Sequence, residues 1–354
     1  MKKIISDFTE KLYKTISETG AKNLILSPLS VIYAAALVGS GASGETRDEI
    51  EKMLGSDIEK LDKILCTISG KLAESKDQSV KLANSLWTNR NLFRLSKKFA
   101  EHAHVFYDAE CKNESFSDNI ISKINAWVSE KTDGMITDAL DTVDPSTAII
   151  LLNTILFDGK WEKEYHDVVP GEFFNYDGSS VQTEFMPFSE NTYFENDGAA
   201  GFSKNYTGGY RFTAVLPDSD IQEYIKHADL ESILSAAESG DCRADVSLPK
   251  FDYENETGLN EVLEKLGMRR ALSPYAELYA LSEDRVPLRI DKVMQKARVI
   301  VNECGTKAAA MTEMAIALTM LRPERKILIL NRPFIYMITD PDGVILFIGT
   351  VYSL

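Results

Sequence analysis

Two strand-like runs, residues 297–301 (Ala-Arg-Val-Ile-Val) and 327–330 (Ile-Leu-Ile-Leu), are separated by a connection longer than compact domains ordinarily tolerate. It has the composition of neither a Gly/Ser linker nor a charged tail. Its first part, Glu303-Cys304-Gly305-Thr306-Lys307-Ala308-Ala309-Ala310-Met311-Thr312, is almost free of large side chains. Taken with period two, Thr306, Ala308, Ala310, Thr312, Met314 and Ile316 share one parity and carry no charge. Lys307, Ala309, Met311, Glu313, Ala315 and Ala317 share the other, and both charges fall there. A strand buried on one face and wetted on the other needs that sorting. The segment reads as a loop able to become a strand.

The rest of the chain sets the background. Its 354 residues allow one large domain or two ordinary ones, and 44% hydrophobic with 26% charged residues is a globular composition. A net charge of −15 argues against nucleic acid or an anionic membrane as partner. The longest apolar stretch, residues 148–157, is broken by Asn153 and reads as a buried strand, not a membrane span. After Met1-Lys2-Lys3, the recurrence of Ile4, Phe8, Leu12 and Ile16 marks an amphipathic helix in place of a leader. A cytoplasmic location is the default expectation, or an extracellular one if a leader has been removed.

Enzymatic chemistry finds little to work with. Cys66, Cys111, Cys242 and Cys304 have no metal spacing and no dense disulfide framework. His102, His104, His166 and His227 belong to no metal or nucleophile motif. The glycines of Gly39-Ser40-Gly41-Ala42-Ser43-Gly44 follow a helix, whereas a dinucleotide fingerprint follows a strand. No cofactor and no metal is expected.

Helices dominate the first third. Ser27-Pro28 starts one that Gly39 is expected to stop, and residues 45–54 form another ended by Gly55. Strand signals follow at 83–87, 148–157, 212–216, 244–251, 297–301, 334–338 and 344–351, with Asp340-Pro341-Asp342-Gly343 turning the last two into a hairpin. No repeat or linker interrupts them, so the reading is one α+β domain over residues 1–354. Asn153 needs partners inside its apolar strand, because an unpaired amide there costs a few kcal/mol.

The stem Glu303-Cys304-Gly305-Thr306-Lys307 with Ala308-Ala309-Ala310 resembles the hinge of the serpins. Asn331-Arg332-Pro333-Phe334-Ile335-Tyr336 resembles the segment that follows their reactive loop. Asn23, Ser27-Pro28-Leu29-Ser30 and Gly41-Ala42-Ser43-Gly44-Glu45-Thr46 are similar to the family's early helices. Asn84-Ser85-Leu86-Trp87, Ile124-Asn125-Ala126-Trp127-Val128, Thr132-Asp133-Gly134 and Leu152-Asn153 follow in the family's order. So do Phe157-Asp158-Gly159-Lys160-Trp161, Leu216-Pro217-Asp218 and Leu248-Pro249-Lys250-Phe251. The resemblance spans essentially the whole chain.

It implies the serpin fold, α+β with helices packed around large mixed or antiparallel sheets, and an exposed reactive loop at about residues 303–326. It implies an irreversible suicide-substrate inhibitor of serine proteases, not an enzyme. The protease attacks the loop and forms an acyl-enzyme, and the cleaved loop then inserts into the main sheet. Such insertion is an established property of serpins. Displacing the tethered protease's reacting groups by about 1 Å can already cost a hundredfold in rate. The hinge residues are Glu303, Gly305, Thr306, Ala308, Ala309, Ala310 and Thr312, and their small inward set suits an inhibitory member. The resemblance also implies a polar cluster of Ser27, Ser30 and Asn153 under the sheet, with Gln295 where the family commonly has His, and Trp161 where insertion begins.

In this family the cleaved bond usually falls at the seventeenth residue from the hinge Glu, which gives Thr319-Met320. Ala317-Leu318-Thr319 would suit elastase-like or subtilisin-like proteases. A register one residue away selects Leu318 or Met320, and Arg322 is a third-ranked, trypsin-like site. The alternative is a non-inhibitory serpin acting as carrier, chaperone or storage protein. A monomer is expected, with loop–sheet self-association on heating as a side reading, because residues 315–321 are apolar and strand-prone.

Overall fold

The structure, a computed structural model, describes residues 2–20, 22–74, 80–117, 119–165, 167–305 and 326–354. The chain forms two compact units, one of Met1–Ile16, Leu26–Leu156 and Glu254–Arg298, the other of Ser17–Ile25, Phe157–Tyr253 and Val299–Leu354.

The first unit holds the early helices and most of a five-stranded sheet. The strand order is Phe251–Gly258, Lys292–Val301, Ile149–Phe157, Val80–Asn89, Ala109–Glu114. Lys292–Val301 runs parallel to Ile149–Phe157, with Gln295 opposite Asn153. Every residue of Ile149–Phe157 is buried, as its nearly unbroken apolar run requires. Trp87, Ile150, Leu152 and Met294 of this sheet pack with Ile120, Ile124, Trp127 and Val128 of the helix Ile120–Lys131. Trp87 and Trp127 meet edge to face, with centroids 6.4 Å apart.

Helix Pro28–Gly41 is capped by Ser27, whose side chain accepts from Ser30 N–H, and it is buried nearly throughout. It runs two residues past Gly39, where the sequence suggests a stop. Gly39 is there for packing: a Cβ at that position would fall on the side chain of Ile58. Helix Gly44–Leu54 ends as expected, with Gly55 left-handed at φ 71°.

The second unit holds most of a nine-stranded sheet, counted among the described residues. Its centre is the expected hairpin of Phe334–Thr339 and Ile345–Val351, flanked by Arg211–Pro217 and Ala199–Asn205. Family-like motifs meet here. Arg332 donates to Pro217 O, and the Asn23 amide bonds both N–H and C=O groups of the C-terminal Tyr352-Ser353. Ser180–Asn196 then leads through Cys242–Pro249 to Lys326–Ile329, the strand that follows the long connection.

Candidate functional site

The stem of the long connection is a tight reversal in the second unit. Asn302 N–H donates to Gly305 O at 3.1 Å and Gly305 N–H returns to Asn302 O at 3.3 Å. Asn302 Oδ1 accepts from Cys304 N–H at 3.0 Å. Gly305 has φ +120°, and a Cβ there would fall on Gly159 O and within 2.7 Å of Lys160 Cα and Trp161 N. Only glycine meets both demands. Trp161 N–H donates to Cys304 O at 3.2 Å, Tyr165 N–H to Glu303 O at 2.8 Å, and the Trp161 indole N–H to Asn302 O at 2.9 Å.

Aromatic packing fixes the segment that grips this turn. Trp161 stacks on Tyr206 with centroids 4.1 Å apart and planes 10° apart. Tyr165 and Phe212 meet it edge to face at 5.6 and 5.7 Å. Outside the rings, a Glu303 carboxylate oxygen lies 3.0 Å from Lys250 Nζ, which also reaches Glu184 at 3.0 Å. Backbone hydrogen bonding, with Lys250 adding to it, holds the Glu303 carboxyl below the usual range. Burial opposes the charge on Lys250, but Glu184 and Glu303 outweigh it and raise its pKa. Burial raises the Cys304 thiol, which makes it a poor nucleophile.

The first unit contributes a polar cluster. Gln295 accepts from Ser27 N–H at 2.8 Å and donates to Ser27 O at 2.9 Å, and Ser30 Oγ donates to Ser27 Oγ at 3.0 Å. Gln thus supplies donor and acceptor without a titratable ring. Asn153 does not share these bonds: its amide donates to Asn84 Oδ1, and Asn84 donates to Tyr107 O at 3.0 Å. Asn153 Oδ1 has no hydrogen-bond partner among the described residues.

Of the sequence-predicted site residues, the structure therefore joins Ser27, Ser30 and Gln295 in one cluster, puts Asn153 with Asn84 in another, and gathers Trp161, Glu303 and Gly305 at the turn. Thr306, Ala308, Ala309, Ala310, Thr312, Ala317, Leu318, Thr319, Met320 and Arg322 lie outside the described residues. Sequence reasoning missed the roles of Lys250, Tyr206, Lys204 and Asn84. Lys250 and Asn84 had a signal, their places in family-like motifs; the contacts of Tyr206 and Lys204 depend on strand pairing that spacing does not reveal. Among the described residues no cluster of His, Cys, Asp or Glu could hold a metal, and no helix is long and apolar enough to cross a membrane.

Fold and site together define an α+β protein with a clamped turn at Asn302–Gly305, next in sequence to a strand with a closed parallel neighbour. The Serpin (serine protease inhibitor) family profile matches residues 3–354. Serpin-Z2A of Triticum aestivum is 30% identical over 98% of this chain and 94% of its own length. Plasma serine protease inhibitor of Bos taurus is 28% identical over 98% of this chain and 89% of its own length. The crystal structure of a thermophilic serpin, tengpin, in the native state superposes with TM-score 0.93 at 35% identity, covering 100% of this chain and 95% of that one. The chain belongs to the serpin family and has the serpin fold.

Most serpins are protease inhibitors and not enzymes, and serine proteases are the family's targets. Some members are non-inhibitory. Thyroxine-binding globulin in complex with thyroxine shares the fold at TM-score 0.88 and 24% identity, over 100% of this chain and 99% of that one.

Proposed function

We propose that residues 1–354 act as one serpin domain that traps serine proteases. The protease attacks Thr319-Met320, and the cleaved loop inserts as a strand between Ile149–Phe157 and Lys292–Val301. One observation carries the reading: these two strands pair directly in parallel, and the chain reverses at Asn302–Gly305 on leaving the second. A segment returning from that reversal runs antiparallel to both strands, the direction in which one strand can bond to two such neighbours. Thr306, Ala308, Ala310 and Thr312 then face inward, small and uncharged, while Lys307 and Glu313 stay in water. The Ala-Leu-Thr bait suits elastase-like or subtilisin-like proteases.

The test mixes the protein separately with pancreatic elastase, subtilisin, chymotrypsin and trypsin. The expected result is an adduct that survives denaturation, together with a C-terminal fragment beginning at Met320. Cleavage by every protease with no adduct would favour a carrier, chaperone or storage role. Thr306→Arg places a charge inward at a cost of several kcal/mol, roughly, and should turn inhibitor into substrate; an unchanged adduct yield contradicts insertion. On heating, loop–sheet oligomers are expected, and a purely monomeric product would exclude them.

A further inference from the structure

Lys204, in the strand Ala199–Asn205, is only 5% exposed. Its ammonium lies 2.9 Å from a Glu190 carboxylate oxygen and is ringed by Tyr165, Phe188 and Trp161, with centroids at 4.6, 4.9 and 5.7 Å. Burial pushes its pKa down, and Glu190 only partly offsets this. A buried ion pair is often no better for stability than apolar side chains of the same volume. Folding alone therefore does not call for a cation here.

Its surroundings suggest another use. Two of the three rings belong to residues that clamp the loop stem. Trp161 bonds Asn302 O and Cys304 O, and Tyr165 N–H bonds Glu303 O. A cation–π contact is strongest when the cation is desolvated and the ring stays over it. Swinging Trp161 or Tyr165 aside strips ring contacts from an ammonium that water reaches poorly. The indole bond to Asn302 O ties one wall of the cage directly to the stem.

We propose that Lys204 is a positioning residue that holds the loop stem shut through Trp161 and Tyr165, restraining insertion until the loop is cut. This inference rests on the insertion reading above. Phe188 lies on the cage's far side, and Glu190 favours the charged form of the amine.

The experiment measures uptake of a synthetic peptide with the sequence of residues 306–321, alongside the melting temperature. Lys204→Met keeps the stem length and removes the charge. Expected is a wild-type or higher melting temperature with peptide uptake faster by about thirtyfold, the rate equivalent of one desolvated cation–π contact. Lys204→Arg, which restores a cation, should return uptake toward the wild-type rate. Should Lys204→Met not fold, Glu190→Gln removes the counter-charge at nearly constant volume and should quicken uptake in the same way. Wild-type uptake in whichever of these variants folds overturns the latch. A wild-type protein that takes up no peptide and forms no protease adduct overturns the insertion reading instead.

Discussion

Gln295 in the first unit and Trp161 in the second both fasten main-chain groups from buried positions, but by opposite chemistry. Gln295 is held in a polar pair, donating to Ser27 O and accepting from Ser27 N–H, and directional bonds fix its place. Trp161 makes one side-chain bond, to Asn302 O, and ring packing on Tyr206, Tyr165 and Phe212 does the rest. The polar cluster is therefore steep: remove Gln295 and the buried Ser27 N–H has no partner, while Ser27 O keeps only the Val31 N–H. The aromatic clamp is graded, since each ring contributes area separately. On the proposed insertion mechanism, the polar lock suits a strand pair that parts and the aromatic clamp a stem that is held and then released.

Substitutions can break that contrast. The largest effect is expected at the clamp: Trp161→Ala should cost about 3–5 kcal/mol from lost packing and the cavity left behind. Hydrogen exchange at the Tyr165 amide, bonded to Glu303 O, should accelerate with it. Gln295→Leu comes next, at about 2–3 kcal/mol, because the buried Ser27 N–H loses its partner while Ser27 O keeps only the Val31 N–H. Denaturant unfolding would show this as a lower midpoint with an unchanged slope.

Asn153→Leu should cost only about 1 kcal/mol, since it removes an oxygen with no partner among the described residues while orphaning Asn84 Oδ1. A loss equal to that of Gln295→Leu would mean the two clusters work as one. The smallest effect belongs to Glu303→Gln, below about 1 kcal/mol, because its pair with Lys250 is half-exposed. Its sign is testable through pH. The Glu303 carboxyl sits below its ordinary value of 4.5 when folded, so its contribution is complete above that value. As pH falls through the lower folded value, the contribution disappears. Wild type and Glu303→Gln should therefore converge in melting temperature at acid pH and separate above it.

Much of this was legible in the sequence for physical reasons. The apolar run at 148–157 forces a buried strand, Ser27-Pro28 starts a helix, and Asp340-Pro341-Asp342-Gly343 closes the last hairpin. Period-two reasoning missed the hairpin of Val169–Phe174 and Ser180–Asn196, whose strands are mostly exposed or half-buried and carry no apolar run. Its turn did leave a signal in Asp177-Gly178, with Gly178 at φ 86°. At the site, the freedom needed at Gly305 was readable because a backbone demand is local. The cage around Lys204 was not, because its rings come from separate stretches of chain that only sheet pairing brings together. Asn153 was read correctly as needing a partner, but register gives it Asn84 of the neighbouring strand.

If, as proposed, the loop becomes a strand between Ile149–Phe157 and Lys292–Val301, cutting it should stabilise the protein. The most direct measurement compares the melting temperature of the intact protein with that of protein cut within residues 306–325, its two fragments still associated. Insertion adds a bonded strand to the sheet, so the cut form should unfold at a much higher temperature. Equal melting temperatures would contradict the account.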